Sequence, residues 1–421
     1  MIGEARRAAV VAIGDELVTG DIVDSNSGEI ARALAGLGIE VERFVVLGDD
    51  RPGLAHAFWE LARDYGIVVA TGGLGPTLDD VTREAAADAA RVPLETNADV
   101  LAGLRDLWAR RGLAMPESNA RQAAFPAGAQ LMPNRCGTAP GFRVWIDGGM
   151  LAVLPGPPRE MRDMLAHELL PWLERTCGRG PARAVATFHL AGLSESAFGD
   201  RAGDWMARDA DPRMGVTAHM GVLRVTLRTS ATTPEAARDR LAARSAEFRA
   251  RFADDVFSED EPRLELALGR TLIERGLTLA TAESCTGGLV AQLLTDAPGI
   301  SAVFREGWVT YSDRAKRERL GVPAELIERH GAVSEEVARA MAEGAARASG
   351  ARLAVSTTGI AGPDGGSPEK PVGLVWFGLC VDGRSRAERA LFPALGRDAV
   401  RRFAAHRALD LLRRSLPADV D

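Results

Sequence analysis

From Ala8 to Thr71 short apolar runs alternate with amphipathic stretches: Ala8–Ile13 reads as strand, Ser25–Gly38 as helix, Val41–Leu47 as strand, Arg51–Tyr65 as helix and Ile67–Thr71 as strand. Strands joined through helices pair in parallel, because only a long crossover brings the chain back in the same direction. This βαβαβ rhythm therefore predicts a mostly parallel sheet covered by helices, with ligands at the carboxyl ends of the strands. Further helices are predicted at Asp80–Ala90, Asn97–Arg111 and Pro158–Thr176, and strands at Arg143–Ile146 and Leu151–Leu154.

The Gly/Pro break Cys177–Pro181 ends this first domain. Next comes a small α+β unit: strand Arg183–Leu190, helix Ser194–Met206, strands Met214–His219 and Val222–Thr229, and helix Pro234–Arg251. Its last helix is rich in Arg but interspersed with Glu and Asp, the pattern of a solvated face. The acidic stretch Asp254–Glu261, closed by Pro262, reads as a linker into an α/β sandwich. That sandwich is expected from helix Leu264–Arg275, strand Leu277–Ala282, helix Thr286–Thr295, strand Val303–Thr310, helix Ser334–Ala348, strand Ala351–Ser356, strands near Leu374–Val381 and Arg386–Phe392, and helix Arg397–Leu412. Three domains are thus expected, at 1–177, 178–260 and 261–421, each long enough to bury its own core.

A net charge of -7 leaves no global basic field, so neither nucleic acid nor an anionic membrane is an expected partner, and any phosphate must be held locally. The first apolar run, Ala8–Gly14, is too short for a signal peptide core and no stretch reaches membrane-span length, which predicts a cytoplasmic protein. The four cysteines, Cys136, Cys177, Cys285 and Cys380, form no CxxC pair, which argues against a disulfide framework and a zinc site. Of 51 basic residues only Lys316 and Lys370 are lysines. A lysine kept against such an arginine background marks a position needing a compact ammonium or a removable proton.

Three stretches of the last domain could carry chemistry. Glu283-Ser284-Cys285-Thr286-Gly287-Gly288 joins a strand to a helix, placing a hydroxyl and a thiol where backbone N–H groups stabilise developing negative charge. Taken alone, such a turn is more often a capped helix start. Trp308–Lys316 then supplies Tyr311 and Lys316, either of which could take the Ser284 proton if its pKa is lowered. Finally, Thr357–Gly373 is a glycine-rich loop in which Thr358, Gly359, Gly362, Gly365, Gly366 and Lys370 read as a phosphate cradle.

The first domain gathers Asp15 and Glu16, Asp24 and Asn26, and the run Gly72, Gly73, Gly75, Thr77, Asp79 and Asp80. Carboxylates beside a Gly-rich strand-to-helix turn suggest a phosphate on backbone amides and a divalent metal on carboxylates. The Walker pattern GxxxxGK[ST] is absent.

AESCTGG, VTYSxxxK, VSEEVARAMAEGA and TGIAGPDGGSPEKPVG, in that order, resemble the CinA family, whose C-terminal domain is similar to nicotinamide-nucleotide amidase. The first domain's motifs, with Gly137-Thr138-Ala139-Pro140-Gly141 and Leu154–Met161, resemble the family's molybdopterin-binding-like domain. The likeness implies hydrolysis of nicotinamide mononucleotide to nicotinate mononucleotide and ammonia without a cofactor. In that reading Ser284 is the nucleophile, Tyr311 and Lys316 activate it, and Glu283, Thr286, Gly287, Gly288, Thr358 and the loop to Lys370 contact substrate. For the first domain it implies a metal-dependent pyrophosphatase acting on ADP-ribose, with Asp24 and Asp80 as metal ligands, and for the whole chain a homodimer. The departures are small: Glu306-Gly307 replaces paired glycines, Asp313 replaces Asn and Ser367 replaces Thr. Cys285 is a rival nucleophile, since a helix N-terminus acidifies a thiol. Two competing readings are a pterin- or nucleotide-binding protein of molybdenum-cofactor handling and a non-catalytic partner of competence or recombination proteins.

Overall fold

The computed structural model describes residues 7–417. In the N-terminal domain the chain runs through β1 (Arg7–Ile13), α1 (Asp15–Val18), α2 (Asn26–Gly36), β2 (Glu40–Leu47), α3 (Arg51–Tyr65), β3 (Ile67–Thr71), α4 (Thr82–Ala90), β4 (Leu94–Thr96), α5 (Ala98–Arg110), β5 (Ala124–Pro126), β6 (Gln130–Met132), β7 (Gly141–Ile146), β8 (Gly149–Leu154), α6 (Pro158–Met164) and α7 (Leu170–Cys177). The main sheet has the order β2-β1-β3-β8-β7-β6, parallel from β2 to β8. Successive side chains of β1, β3 and β8 enter two different cores: Ala9, Val11, Val68, Ala70, Leu151 and Val153 on one face, Ala8, Val10, Val69, Ala152 and Leu154 on the other. Burial on both faces explains why these strands read as unbroken apolar runs. The chain leaves β1 toward β2 on one side and β3 on the other, and this reversal opens a crevice at the strands' carboxyl ends.

Asp50 Oδ2 accepts the Gly53 N–H and Gly66 ends α3 in the left-handed conformation, a cap at each end. The expected helix Pro158–Thr176 is interrupted by a π-turn at Leu165–Leu169, two residues before Pro171, which has no N–H to continue the α-helical ladder.

The middle domain comprises β9 (Ala182–Ala191), α8 (Glu195–Ala202), β10 (Arg213–His219), β11 (Val222–Ala231), α9 (Pro234–Arg251) and β12 (Val256–Ser258), with sheet order β10-β11-β9-β12. Phe188, Phe198, Phe248 and Phe252 lie at its centre, with the Phe198 and Phe252 rings stacked at 5.0 Å. β12 corrects the reading of Asp254–Glu261 as a plain linker: Val256 and Ser258 pair with β9 and extend its sheet.

The C-terminal domain follows with α10 (Leu264–Glu274), β13 (Leu279–Glu283), α11 (Leu289–Thr295), β14 (Phe304–Val309), α12 (Asp313–Leu320), α13 (Ala324–His330), α14 (Glu335–Ser349), β15 (Leu353–Gly359), β16 (Leu374–Val381), β17 (Arg384–Leu391) and α15 (Arg397–Arg414). Its sheet has the order β14-β13-β15-β16-β17, with β13 parallel to both neighbours. α10, α11 and α15 fill one face through Leu268, Leu294 and Leu409, while α14 fills the other through Met341 and Ala345.

The backbone separates into two compact units, residues 1–183 with 230–237, and residues 184–229 with 238–421. Most of the middle domain therefore belongs with the C-terminal domain. A buried carboxylate accounts for this join. Asp410 on α15 accepts bonds from Arg407, Arg413 and Arg414, and Arg414 continues to Asp255 and to the Ala191 carbonyl of the middle domain. Asp410 is 1% exposed, and its three guanidinium partners supply the pairing that a buried charge requires.

Candidate active site

Register brings the C-terminal motifs together. Glu283, the last residue of β13, pairs with Val309 of β14 and Thr357 of β15, so the residues that follow each strand emerge side by side. The Ser284 N–H donates to the Thr357 carbonyl at 2.9 Å and the Thr310 N–H to the Glu283 carbonyl at 2.7 Å, locking three chain segments at one sheet end.

The turn between β13 and α11 is compact. The helix starts at Leu289 rather than Thr286, because Gly287 and Gly288 both adopt positive φ (64° and 94°), which a side chain would oppose. Glu283 accepts N–H bonds from Gly288, Val290 and Ala291. Its carboxylate is thus spent on capping α11, which corrects its assignment to substrate binding. Thr286 is also fixed, its hydroxyl 2.7 Å from that of Thr357. Among the described residues the N–H groups of Cys285 and Thr286 bond to no oxygen of the chain, and both lie against the Cys285 sulfur.

Lys316, on α12, is 1% exposed and places Nζ 3.1 Å from Ser284 Oγ. The same amine donates to the carbonyls of Thr310 at 3.1 Å and Tyr311 at 3.4 Å. Burial lowers its pKa from the ordinary lysine value, with partial opposition from Asp313 and Cys285. Tyr311 stands apart: its side chain is exposed and its hydroxyl lies 2.6 Å from Arg397 Nη2. Lys316 rather than Tyr311 is therefore the group in reach of the Ser284 hydroxyl. Burial pushes the Cys285 thiol up to about 12, which reverses the acidification expected at a helix start and leaves it protonated near neutrality.

A cavity of about 230 Å³ adjoins the turn, lined by Cys285, Tyr311, residues Gly359 to Gly362, Asp364, Gly365 and Arg397. Ser284, next to Cys285 in the chain, is 8% exposed and is not itself part of the cavity lining. Two arginines absent from the expected set stand here, Arg397 in the cavity lining and Arg401 bonded to the turn beside it. Arg397 Nη1 donates to the Gly362 carbonyl at 2.8 Å while Nη2 bonds Tyr311, and Arg401 Nη2 donates to the Thr286 carbonyl at 2.8 Å. Their i,i+4 spacing puts them on one side of α15, a signal lost in an arginine-rich chain. Conversely, Thr358, Gly366 and Lys370 do not line the cavity. Thr358 and Lys370 hydrogen-bond to carbonyls of the α13–α14 connection, and a Cβ on Gly366 would lie 2.9 Å from the Val372 nitrogen.

The N-terminal domain holds a larger cavity, about 420 Å³, at the predicted crevice. Glu16, Gly72, Gly73, Gly75, Asp79 and Asp80 line it, together with Thr138 and Glu160 from the two later motifs and with Asp49 and Gln122, which lie outside the motifs. Gly72 has no alternative, since a Cβ there would lie 2.2 Å from the Ile13 carbonyl oxygen. Burial raises the Asp49 carboxyl above its ordinary value. Asp15, Asp24, Asn26 and Thr77 fall outside the lining. Asp15 and Asp49 each accept the other's N–H, and Asn26 Nδ2 donates to Thr71 Oγ1 and to the Gly156 carbonyl.

Asp24 and Asp80 do not fit as a metal pair. Asp24 Oδ1 accepts the Ser27 N–H, while Asp80 accepts the N–H groups of Gly75 and Thr77 and the Thr77 hydroxyl. Among the described residues no three His, Cys, Asp or Glu side chains gather as metal ligands. No helix among those residues is long and apolar enough to cross a membrane.

Three family models match the chain: "Probable molybdopterin binding domain" over residues 9–175, "Damage-inducible protein CinA KH domain" over 186–258 and "CinA C-terminal domain" over 261–416. A relative from Symbiobacterium thermophilum is 45% identical over 426 residues, covering 98% of this chain and 100% of that one. The CinA-like protein of Geobacter sulfurreducens is 43% identical over 411 residues, covering 97% and 99%. Among solved structures, a competence/damage inducible protein from Agrobacterium tumefaciens is 43% identical, covering 37% of this chain and 97% of that one with a TM-score of 0.35.

Proposed function

Because the chain belongs to the CinA family, we propose that its C-terminal domain hydrolyses the carboxamide of nicotinamide mononucleotide, with Ser284 as nucleophile and Lys316 as its base. The observation that carries this reading is the 3.1 Å contact between Lys316 Nζ and Ser284 Oγ, made by an amine whose charged form is penalised by burial. Burial makes the neutral amine easier to reach, and in that form Lys316 can take the serine proton, the activation used by Ser–Lys hydrolases.

The steps balance with this chain's residues alone. Lys316 takes the Ser284 proton as Oγ attacks the carboxamide carbon, and the N–H groups of Cys285 and Thr286 stabilise the oxyanion. The Lys316 ammonium then protonates the amide nitrogen, the C–N bond breaks and ammonia leaves an ester on Ser284. Water, giving its proton to Lys316, attacks that ester, and the returned proton regenerates Ser284 with release of nicotinate mononucleotide. Arg397 is the cation at the cavity positioned to meet the 5′-phosphate.

For the N-terminal cavity we propose a ligand of the ADP-ribose type, with its phosphates at the Gly72–Gly75 turn. The Gly73 and Leu74 N–H groups there bond to no oxygen among the described residues, as phosphate-binding amides require. The deciding experiment for the amidase is ammonia release from nicotinamide mononucleotide by wild type, Ser284→Ala and Cys285→Ala without added metal. Activity lost in the serine variant and kept in the cysteine variant is the expected result; retained activity in Ser284→Ala overturns the reading.

A further inference from the structure

The glycine-rich loop between β15 and β16 is held at both ends by side chains that reach the same short segment. At its entry, Thr358 Oγ1 donates to the Ala332 carbonyl at 2.7 Å. At its exit, Lys370 Nζ donates to the carbonyls of His330 at 2.7 Å and Val333 at 2.8 Å. These three carbonyls belong to the turn joining α13 to α14. Between the two anchors lie the residues that line the cavity beside Ser284, Gly359 to Gly362 with Asp364 and Gly365.

We propose that Thr358 and Lys370 are positioning residues that clamp this loop to the His330–Val333 turn, setting the shape of the substrate cavity without touching substrate phosphate. The chemistry favours a lysine there. An ammonium has three donors that rotate to meet two carbonyls, whereas a guanidinium presents a rigid planar fork. Gly331 leaves room for the group: a Cβ there would lie 3.1 Å from Nζ. The same requirement accounts for the survival of lysine at this position in a chain whose only other lysine is Lys316.

The kinetic part of the test rests on the amidase reading, and the exchange part does not. Deamidation of nicotinamide mononucleotide and of nicotinamide riboside, which lacks the phosphate, is compared for wild type, Lys370→Met and Arg397→Met. A clamp lowers kcat/KM for both compounds by the same factor in Lys370→Met, leaving their ratio at the wild-type value, whereas Arg397→Met reduces the preference for the phosphorylated compound. In parallel, amide hydrogen exchange across residues 359–373 speeds up about tenfold or more in Lys370→Met, because bonds to a charged donor are lost. Thr358→Val, which keeps the side-chain shape, gives faster exchange in the same segment and serves if the lysine variant fails to fold. A ratio that collapses in Lys370→Met, or exchange unchanged in both variants, overturns the clamp. A wild-type protein that deamidates neither compound removes the amidase reading, and the exchange result still decides the clamp.

Discussion

Lys316 Nζ reaches Ser284 Oγ at 3.1 Å while donating to the carbonyls of Thr310 and Tyr311, so the amine that meets the serine also ties α12 to the segment that follows β14. In the proposed reaction one amine would thus have a catalytic role beside its structural one. Lys316→Met should lower kcat by about 10²–10⁴-fold, the usual worth of a positioned base. Circular dichroism should show that the fold persists, and steady-state deamidation that turnover does not. A variant that keeps wild-type kcat would remove Lys316 from the mechanism.

The pH profile carries the sign of the same shift. Lys316 acts as a base only when neutral, so kcat/KM should rise with pH through an ionisation below the ordinary 10.5 of lysine. Stability follows in the same direction. Folded Lys316 releases its proton before unfolded lysine does, so the unfolded chain binds more protons between the two pKa values, and this residue's contribution to stability grows as pH rises through that window. Measuring kcat/KM from pH 6 to 10 checks the first statement; a rate falling across the range would contradict it.

A thiol pushed up to about 12 is a poor nucleophile near neutrality. Cys285→Ala should keep most of the wild-type deamidase activity, and iodoacetamide at pH 8 should leave the enzyme active over a time that alkylates exposed Cys136. Peptide mass mapping after alkylation reads both residues in one experiment.

Arg397→Met should raise KM for the mononucleotide by about tenfold or more, as expected when a charge-assisted bond to phosphate is lost, with a smaller effect on kcat. The substitution also frees Tyr311 from its partner, so Tyr311→Phe is the control. An unchanged KM in Arg397→Met would place the phosphate elsewhere.

Asp410→Ala leaves Arg407, Arg413 and Arg414 without their shared buried carboxylate. Breaking a buried pair on one side costs ~3–5 kcal/mol, which should appear as a lower denaturation midpoint of the unit containing the middle and C-terminal domains. A wild-type midpoint would show that the network contributes little.

The sandwich and the parallel sheet were legible because β1, β3, β8, β13 and β15 are apolar enough to be buried on both faces, and Gly/Pro breaks punctuate them. Ser284 was legible for a local reason, since strand, turn and helix are contiguous in sequence. Lys370 and Thr358 were misread because a Gly-rich loop looks the same whether its polar side chains face a ligand or a turn some thirty residues earlier. Asp24 and Asp80 failed similarly: a carboxylate that caps N–H groups and one that holds a metal are spelled alike. Arg397 could not be seen at all, because an arginine among so many carries no weight until α15 is placed beside the cavity.

The scarcity of lysine turns the protein into its own folding gauge. Endoproteinase Lys-C cuts after lysine but not before proline, so Lys370-Pro371 is protected and the bond after Lys316 is the single cleavable site in the sequence. Because that side chain is buried against Ser284, the protease reaches it only when the C-terminal domain opens. A single pair of fragments appearing over time would then report how often Ser284 and Lys316 come apart.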